Sequence, residues 1–316
     1  PYTTLFRSTL SLGALTVFEE AEAQKENSRL IARGRGIASM GLTEYDQAVQ
    51  YFTEALELSD GWVQNVDYDM NYYLAAAYRK NGQPAEAKKV YDAILGLKPE
   101  EKDAYFLRGS AELELGDYES AKADFDKAIS MDPKNYDRMI EIYEALADYG
   151  YREVGQEYLQ NVLNTAKQLD SYDSGRIYYY LGDYQKAYLA LEEAKGKGGV
   201  DSYLYLGKAY AATGDYNYAS SVYSNYLSKQ GPDAEIYNQL GLCEMAKKDY
   251  QKALEAFQAG KQIEGNSLMQ TLSFNEIVAY EYLQDYQKAA VLLKAYLQNY
   301  PDDQAAIREQ QFLSTR

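Results

Sequence analysis

Two short segments of the chain carry residue types that bind small ions. The segment KGKGG at 195–199 has the glycines and lysines of a phosphate-binding loop, but it lacks the GxxxxGK(S/T) spacing and a preceding strand. The segment MDPKNYD around Asp132 has spaced acidic residues, but it lacks the glycine and the terminal glutamate of a calcium-binding loop. Neither segment therefore predicts an ion site. Asp132 with Pro133 fits the end of a helix, and the register of the repeats in this chain makes KGKGG a turn between two of them.

Three arginines near the start of the chain, Arg29, Arg33 and Arg35, offer guanidinium groups that pair well with carboxylates. One interpretation is a site for the acidic terminus of a peptide. The other is exposed charge that keeps the protein soluble. The sequence leaves both interpretations open.

The composition excludes several classes of function. The formal net charge of −16 disfavours nucleic acids and anionic membranes as partners, because affinity for phosphates comes from lysine and arginine. The chain has no histidine, so the usual general base and the commonest metal ligand are missing. Cys243 is the single cysteine, which excludes an intramolecular disulfide and a cysteine-based zinc site. We expect a protein that is not an enzyme and holds no cofactor or metal.

Tyrosine is the most unusual part of the composition, with 35 residues against 8 phenylalanines and 1 tryptophan. Its amphipathic ring packs against apolar surface and also forms hydrogen bonds, which suits helix seams and binding surfaces. We expect most of the tyrosines at seams between helices.

The beginning of the chain gives two expectations about the natural sequence. Residues 1–8, PYTTLFRS, match an in-frame translation of a sequencing adapter, so we exclude them from the fold. Residues 9–28 are expected to form an N-terminal helix or to be the remnant of an export signal. An apolar stretch before Ala21 and Ala23 is typical of an export signal, whereas the lack of a positively charged flank favours a helix. Elsewhere no stretch approaches the ~20 apolar residues of a membrane-spanning helix, so we expect no direct membrane insertion.

One hexapeptide recurs along the chain. It reads GDYESA at 116–121, GDYQKA at 182–187, GDYNYA at 214–219, KDYQKA at 248–253 and QDYQKA at 284–289. Alignment on its aromatic residue gives about eight repeats of roughly 34 residues, with Tyr45, Pro84 and Tyr151 at the remaining anchor positions. Three residues after the anchor stands an alanine in every repeat but one, where Val154 replaces it. The chain is therefore a tandem array of one motif.

The motif predicts two helices joined by a tight turn. Glycine can end the first helix in the left-handed conformation, and the aspartate after it can cap the second helix. A small residue nine positions before the anchor and the alanine after it lie where the helices approach each other, and a large residue seven positions after the anchor fills the space beyond. Proline or glycine then ends the second helix. Each repeat is thus expected to be one helical hairpin.

These offsets resemble those of the tetratricopeptide repeat family, whose helix-turn-helix unit has about 34 residues. The resemblance covers 29–303 and implies an all-α fold, an α-solenoid in which about eight hairpins form a right-handed superhelix. The repeats are expected near 29–67, 68–101, 102–134, 135–167, 168–199, 200–233, 234–269 and 270–303, with a C-terminal capping helix in 304–316.

Two places depart from the repeat pattern. The fourth repeat has Ile142 and Val154 at its two small positions, so its helices are expected to lie farther apart. A longer loop between the first and second repeats contains Trp62. We expect Trp62 either to anchor a partner at the rim of the binding groove or to cover the first repeat.

The resemblance also implies a binding surface, because in this family two positions of each first helix face a concave groove that holds a peptide or helix of another protein. The corresponding partner-binding residues are Arg33, Tyr72, Phe106, Met139, Tyr143, Tyr172, Arg176, Lys208, Asn238 and Phe274. The lysine and asparagine pattern of relatives that clamp a C-terminal carboxylate is absent. Five of them are expected to form a stripe for apolar side chains of the partner, unless they pack against the neighbouring repeat: Tyr72, Phe106, Met139, Tyr143 and Tyr172.

The resemblance therefore implies a non-catalytic scaffold that binds a protein or peptide in its groove. The alternative is an exported or lipid-anchored bacterial envelope protein that assists assembly of a surface or secretion complex, because tyrosine-rich acidic arrays of this family look bacterial. The location stays open between the cytoplasm and an exported, membrane-anchored form. The sequence favours no oligomeric state.

Overall fold

The computed structural model describes residues 28–59, 64–197 and 199–315, and these residues form helices joined by turns, with no strand among them. The all-α prediction is confirmed. The chain divides into two compact units, an N-terminal unit up to Val162 and a C-terminal unit from Leu163. Within each unit, helical hairpins follow one another as in an α-solenoid.

Each hairpin consists of a first and a second helix. In the N-terminal part, the first helices are α1 (Ser28–Gly41), α3 (Asn65–Lys80), α5 (Lys102–Glu114) and α7 (Tyr136–Asp148). Their second helices are α2 (Tyr45–Glu57), α4 (Pro84–Leu97), α6 (Tyr118–Met131) and α8 (Arg152–Thr165).

The C-terminal unit repeats this arrangement. Its first helices are α9 (Ser171–Tyr180), α11 (Gly199–Ala212), α13 (Ala234–Ala246) and α15 (Met269–Tyr282). Their second helices are α10 (Tyr184–Ala194), α12 (Tyr216–Gln230), α14 (Tyr250–Lys261) and α16 (Tyr286–Asn299). A last helix, α17 (Gln304–Leu313), contacts α16. Every helix described is too short or too polar to cross a lipid bilayer.

The hexapeptide forms the turn inside a hairpin. At Gly116 the backbone is left-handed, with φ at +77°, and the side chain of Asp117 accepts a hydrogen bond from the backbone N–H of Ser120 at 3.2 Å. Glycine adopts this conformation without strain, and the carboxylate supplies a partner for a helix N–H that has none within the helix. The predicted end of one helix and start of the next are confirmed.

Three repeats place a residue with a side chain where the other turns have glycine. Lys248 and Gln284, the first letters of KDYQKA and QDYQKA, have φ at +64°, and Thr43 has φ at +63°. The left-handed conformation costs a residue with a Cβ roughly 1–2 kcal/mol. These turns therefore carry local strain that the glycine turns do not.

Small residues let the two helices of a hairpin approach, and a large side chain lies against each glycine at the small position of a first helix. A Cβ added to Gly207 would lie 2.2 Å from Cζ of the fully buried Tyr223, and one added to Gly241 would lie 2.3 Å from the ring of Phe257. The alanines that follow the anchors are fully buried: Ala48, Ala87, Ala121, Ala187, Ala219, Ala253 and Ala289. The predicted packing of small against large residues is confirmed.

The fourth hairpin achieves its close approach through a different residue. A Cβ added to Gly155 would lie 3.0 Å from the Cα of Tyr143, so the backbones of α7 and α8 meet here. Gly155 follows Val154, and the point of contact has therefore moved one residue along α8. The expected wider separation of these helices is wrong at this point of the hairpin.

Tyrosines and ion pairs join successive hairpins within a unit. The rings of Tyr118 and Tyr151 stack with their centroids 4.2 Å apart. Nη2 of Arg138 on α7 lies 2.7 Å from Oδ1 of Asp103 on α5. Contacts run between helices that follow each other along the chain, and between one first helix and the next. The expected use of tyrosine at helix seams is confirmed for such pairs.

Candidate partner-binding site

The first helices of the N-terminal unit enclose a hollow on the face that they share. Its volume is about 450 Å³, and it lies between α3, α5 and α7. We call it the N-terminal hollow and define it by its lining: Arg79, Phe106, Ser110, Glu141, Glu144, Ala145, Asp148 and Tyr149. Ligand sites in proteins measure about 300–1,000 Å³. The hollow therefore has room for one or two side chains of a partner.

Helix α5 contributes an aromatic wall that is held in place from behind. Phe106, a predicted groove residue, has its ring centroid 6.0 Å from that of Phe125. The guanidinium of Arg138 lies 4.0 Å from the centroid of Phe106. One turn further along α5, the buried hydroxyl of Ser110 donates a hydrogen bond to the carbonyl of Phe106 at 2.9 Å. The wall is thus fixed before any partner arrives.

Helix α7 contributes a row of carboxylates. Glu141, Glu144 and Asp148 follow each other at spacings of three and four residues, which places them on one face of the helix. All three side chains are exposed. Oε2 of Glu141 lies 2.9 Å from Nη1 of Arg138. This side of the hollow is negatively charged.

Arg79 is the basic residue of the lining, and it is paired with Glu114. Its Nε donates to Oε1 of Glu114 at 2.8 Å. Burial lowers the pKa of Arg79, but the hydrogen bond to Glu114 and the charge of that carboxylate outweigh burial and raise the pKa. Burial and the charge of Glu114 also raise the pKa of Tyr149. At neutral pH, Arg79 is therefore charged and Tyr149 is neutral.

The arginine cluster at the start of the chain holds helices together. Nε of Arg33 donates to Oδ2 of Asp69 at 3.0 Å, and Arg29 pairs with Asp67. Both partners lie on α3, whereas the arginines lie on α1. The guanidinium of Arg35 lies over an aromatic ring of α2. Arg29 and the predicted groove residue Arg33 thus form ion pairs between helices, which neither interpretation of the cluster anticipated.

The remaining predicted groove residues of the N-terminal unit lie largely inside it. Tyr72 is half-buried, and its ring centroid lies 6.3 Å from that of Tyr91. Met139 and Tyr143 are 5% and 4% exposed, which leaves little of either side chain for a partner. This burial favours packing against neighbouring helices, the alternative interpretation of these residues.

The five predicted groove residues of the C-terminal unit also make contacts within their own unit. The guanidinium of the buried Arg176 lies 4.3 Å from the ring centroid of Tyr172. The buried Asn238 accepts a hydrogen bond from an amide of α15 at 2.9 Å. Lys208 lies 3.5 Å from a carboxylate of α13, and Phe274 lies 5.7 Å from a tyrosine ring of α16. As partner contacts these residues stay predictions.

The two segments that resemble ion sites have structural roles. Helix α6 ends at Met131, and Asp132 follows as its C-cap and pairs with Lys102. In the segment KGKGG, residues 195–197 form a turn after Ala194, the last residue of α10, and Gly199 is the first residue of α11. The expected helix end and turn are confirmed. Trp62 and residues 1–27, which include most of the predicted N-terminal helix or export signal, lie outside the described residues.

The chemistry of the hollow suits recognition of another chain. It combines aromatic rings and an arginine, which are enriched at protein interfaces, with carboxylates and other polar groups of the kind found at an interface rim. Burial raises the pKa of Cys243 to about 12, so its thiol is not ionised at neutral pH. Within the described ranges, no group of three or more acidic or cysteine side chains is arranged to hold a metal ion.

Sequence reasoning found one side of the hollow and missed the other. The family positions identified Phe106, because they follow a single stripe of each first helix. They missed Glu141, Glu144 and Asp148, which lie on a neighbouring stripe of α7. The spacing of three and four residues was the signal in the sequence that marks these carboxylates as one helix face.

Comparison with known proteins identifies related sequences. Family models described as tetratricopeptide repeat match residues 72–136 and 204–267, and residues 274–303. The Hsp70-Hsp90 organizing protein of Triticum aestivum is 30% identical over 105 residues, which are 33% of this chain and 17% of that protein. The FK506-binding protein-like protein of Mus musculus is 42% identical over 62 residues, which are 20% of this chain and 18% of that protein. The match thus spans less than a fifth of either relative.

A solved structure shows a similar fold. A tetratricopeptide repeat protein from Parabacteroides merdae aligns with a TM-score of 0.50 at 14% identity, over 80% of this chain and 98% of that one. The family models together match about half of this chain, in the segments that form α3–α6, α11–α14 and α15–α16. With its hairpins capped and packed as the repeat requires, the chain belongs to the tetratricopeptide repeat family.

Proposed function

We propose that this chain holds a peptide or helical segment of a partner protein in the N-terminal hollow. The coarser role, a scaffold for protein–protein interaction, follows from the tetratricopeptide repeat itself, which is a non-catalytic fold. The finer part of the proposal is that the partner binds at the N-terminal hollow.

The observation that carries this proposal is a hollow of about 450 Å³ on the face formed by the first helices. The ring of Phe106 is held in place on one side of it, and Tyr149 is exposed on another. Phe106 is held by Phe125 behind it, so binding does not require this ring to be ordered. Tyr149 is 47% exposed and lines the same hollow. Tyrosines that become covered at the centre of an interface supply a large share of binding energy.

Substitution of Tyr149 tests this proposal. Short random peptides displayed on phage are selected on the full chain, and the affinities of the retained peptides are measured by fluorescence anisotropy. We expect Tyr149→Ala to weaken binding by about 30-fold, which corresponds to the ~2 kcal/mol typical of an interface anchor. The loss of an exposed ring should leave the folded hairpins intact.

The matched control is Tyr282→Ala. Tyr282 is 56% exposed near the end of a first helix in the C-terminal unit, so it resembles Tyr149 in residue type and exposure. We expect this variant to bind the selected peptides as the unaltered chain does. Peptides that bind the Tyr149→Ala variant with undiminished affinity would place the binding surface elsewhere and overturn the proposal.

A further inference from the structure

The N-terminal hollow has an excess of negative charge. Its lining contains the carboxylates of Glu141, Glu144 and Asp148 and a single basic residue, Arg79. The guanidinium of Arg79 is paired with Glu114, which offsets its charge locally. Concave sites lined by one sign of charge concentrate the field and attract the opposite charge. An anionic segment is therefore repelled from the hollow, and a cationic segment is attracted.

The carboxylates of α7 form a row that already binds one guanidinium. Glu141 lies 2.9 Å from Nη1 of Arg138 in the folded chain. From Glu141 to Asp148 the row extends over about 10 Å, because the α-helix rises about 1.5 Å per residue. The exposed Glu144 and Asp148 continue the row beyond Arg138. They offer an incoming guanidinium the same kind of partner.

The aromatic lining favours a planar cation over a point charge. The guanidinium of Arg138 stacks over Phe106 at 4.0 Å, so a ring of this hollow accommodates a guanidinium in the folded protein. The exposed ring of Tyr149 lines the same hollow. Arginine can lie flat on a ring while its N–H groups reach carboxylates, whereas lysine offers a compact ammonium group.

We propose that the N-terminal hollow takes an arginine side chain from an arginine-containing segment of a partner protein. The guanidinium lies on the ring of Tyr149 and donates to Glu144 and Asp148, while apolar residues beside the arginine contact Phe106. This inference rests on the proposed function and specifies the chemistry of the segment that the hollow binds.

Neutralisation of the row tests the inference. Among the displayed peptides retained by the full chain, we expect enrichment of arginine, and of arginine more than lysine. The triple variant Glu141→Gln/Glu144→Gln/Asp148→Asn keeps the shape of the side chains and removes three charges. We expect this variant to bind the selected peptides about tenfold more weakly, since each exposed ion pair contributes a modest share of the binding free energy. The affinity should also fall as ionic strength rises.

The matched control removes three exposed charges from second helices of the same unit, in the variant Glu119→Gln/Glu153→Gln/Glu157→Gln. We expect this variant to bind the selected peptides with unchanged affinity. This result would distinguish an effect of the three carboxylates on α7 from an effect of the net charge of the protein. One outcome would overturn this inference and leave the scaffold role intact. In it, the selected peptides lack arginine, bind more weakly to the Tyr149→Ala variant and bind to the triple variant with unchanged affinity. Peptides insensitive to Tyr149→Ala, or no enriched peptide at all, would overturn both.

Discussion

The substitution Gly207→Ala tests the packing that defines the hairpin. Gly207 lies on α11, and its Cα faces the ring of Tyr223 on α12. An added Cβ would lie 2.2 Å from Cζ and 2.6 Å from the hydroxyl oxygen of that ring. Carbon atoms pack best about 3.5–4.0 Å apart, so the ring or the helix has to move by more than about 1 Å.

The expected loss of stability follows from two opposing effects. Tyr223 is fully buried, so its ring has no free space to move into, and overpacking of such a core costs about 1–3 kcal/mol. Alanine favours a helix over glycine by about 1 kcal/mol. Because the overlap involves the body of a ring rather than the tip of a flexible chain, we take the upper end of the cost. The net destabilisation is then about 2 kcal/mol.

Native-state hydrogen exchange is the appropriate assay, because arrays of repeats open locally and do not follow a single two-state transition. We expect amides of α11 and α12 to exchange about 30-fold faster in the Gly207→Ala variant, since each 1.4 kcal/mol corresponds to a factor of ten. The effect should be largest in this hairpin and its direct neighbours.

Gly96 provides a control with the opposite expected sign. It is an exposed glycine of α4, and an added Cβ would meet no atom within 4 Å. Gly96→Ala should therefore slow exchange in α4, by up to the ~1 kcal/mol of helix propensity. If Gly207→Ala left exchange in α11 and α12 unchanged or slower, the close fit of glycine against the ring would not be what holds the hairpin together.

Two further predictions concern the last repeats. Gln284→Gly should slow native-state hydrogen exchange in α15 and α16 by about fivefold, or about 1 kcal/mol, because φ is +64° at this position; unchanged exchange rates would show that the turn is not strained. Burial, together with the charge and hydrogen bond of Glu309, raises the pKa of Glu281 from 4.5 to about 7. A raised carboxyl pKa gives a contribution to stability that is complete below pH 4.5 and is lost as the pH rises through 7, so stability should fall across this interval. Glu281→Gln should flatten this part of the curve when the opening free energies of α15–α17 are measured against pH by native-state hydrogen exchange. An identical profile in both proteins would refute the assignment.

The features that the sequence predicted are those decided by neighbours in the chain. The turn at Gly116 and Asp117 depends on a backbone conformation and a cap that lie within one hexapeptide. The ring opposite Gly207 follows from the fixed offset inside one hairpin. The N-terminal hollow required more, because Phe106 and Glu144 come from different hairpins and their meeting depends on how those hairpins stack.

The departures have physical reasons as well. In the fourth hairpin the family register predicted a wider pair, yet Gly155 sits one residue beyond the small position and allows contact there. A shift by one residue turns a helix by about 100° about its axis, which a fixed register does not foresee. The buried state of Met139 and Tyr143 likewise depends on neighbouring helices rather than on their position in the repeat.

The contacts between hairpins have a consequence for folding. In both units they run between helices that are adjacent along the chain or next but one, so residues that touch are separated by about one repeat. The entropic cost of closing each loop is set by that distance and does not grow when hairpins are added. Folding can begin at any hairpin and spread to the next. Such a chain can gain or lose whole repeats in evolution without slowing its own folding.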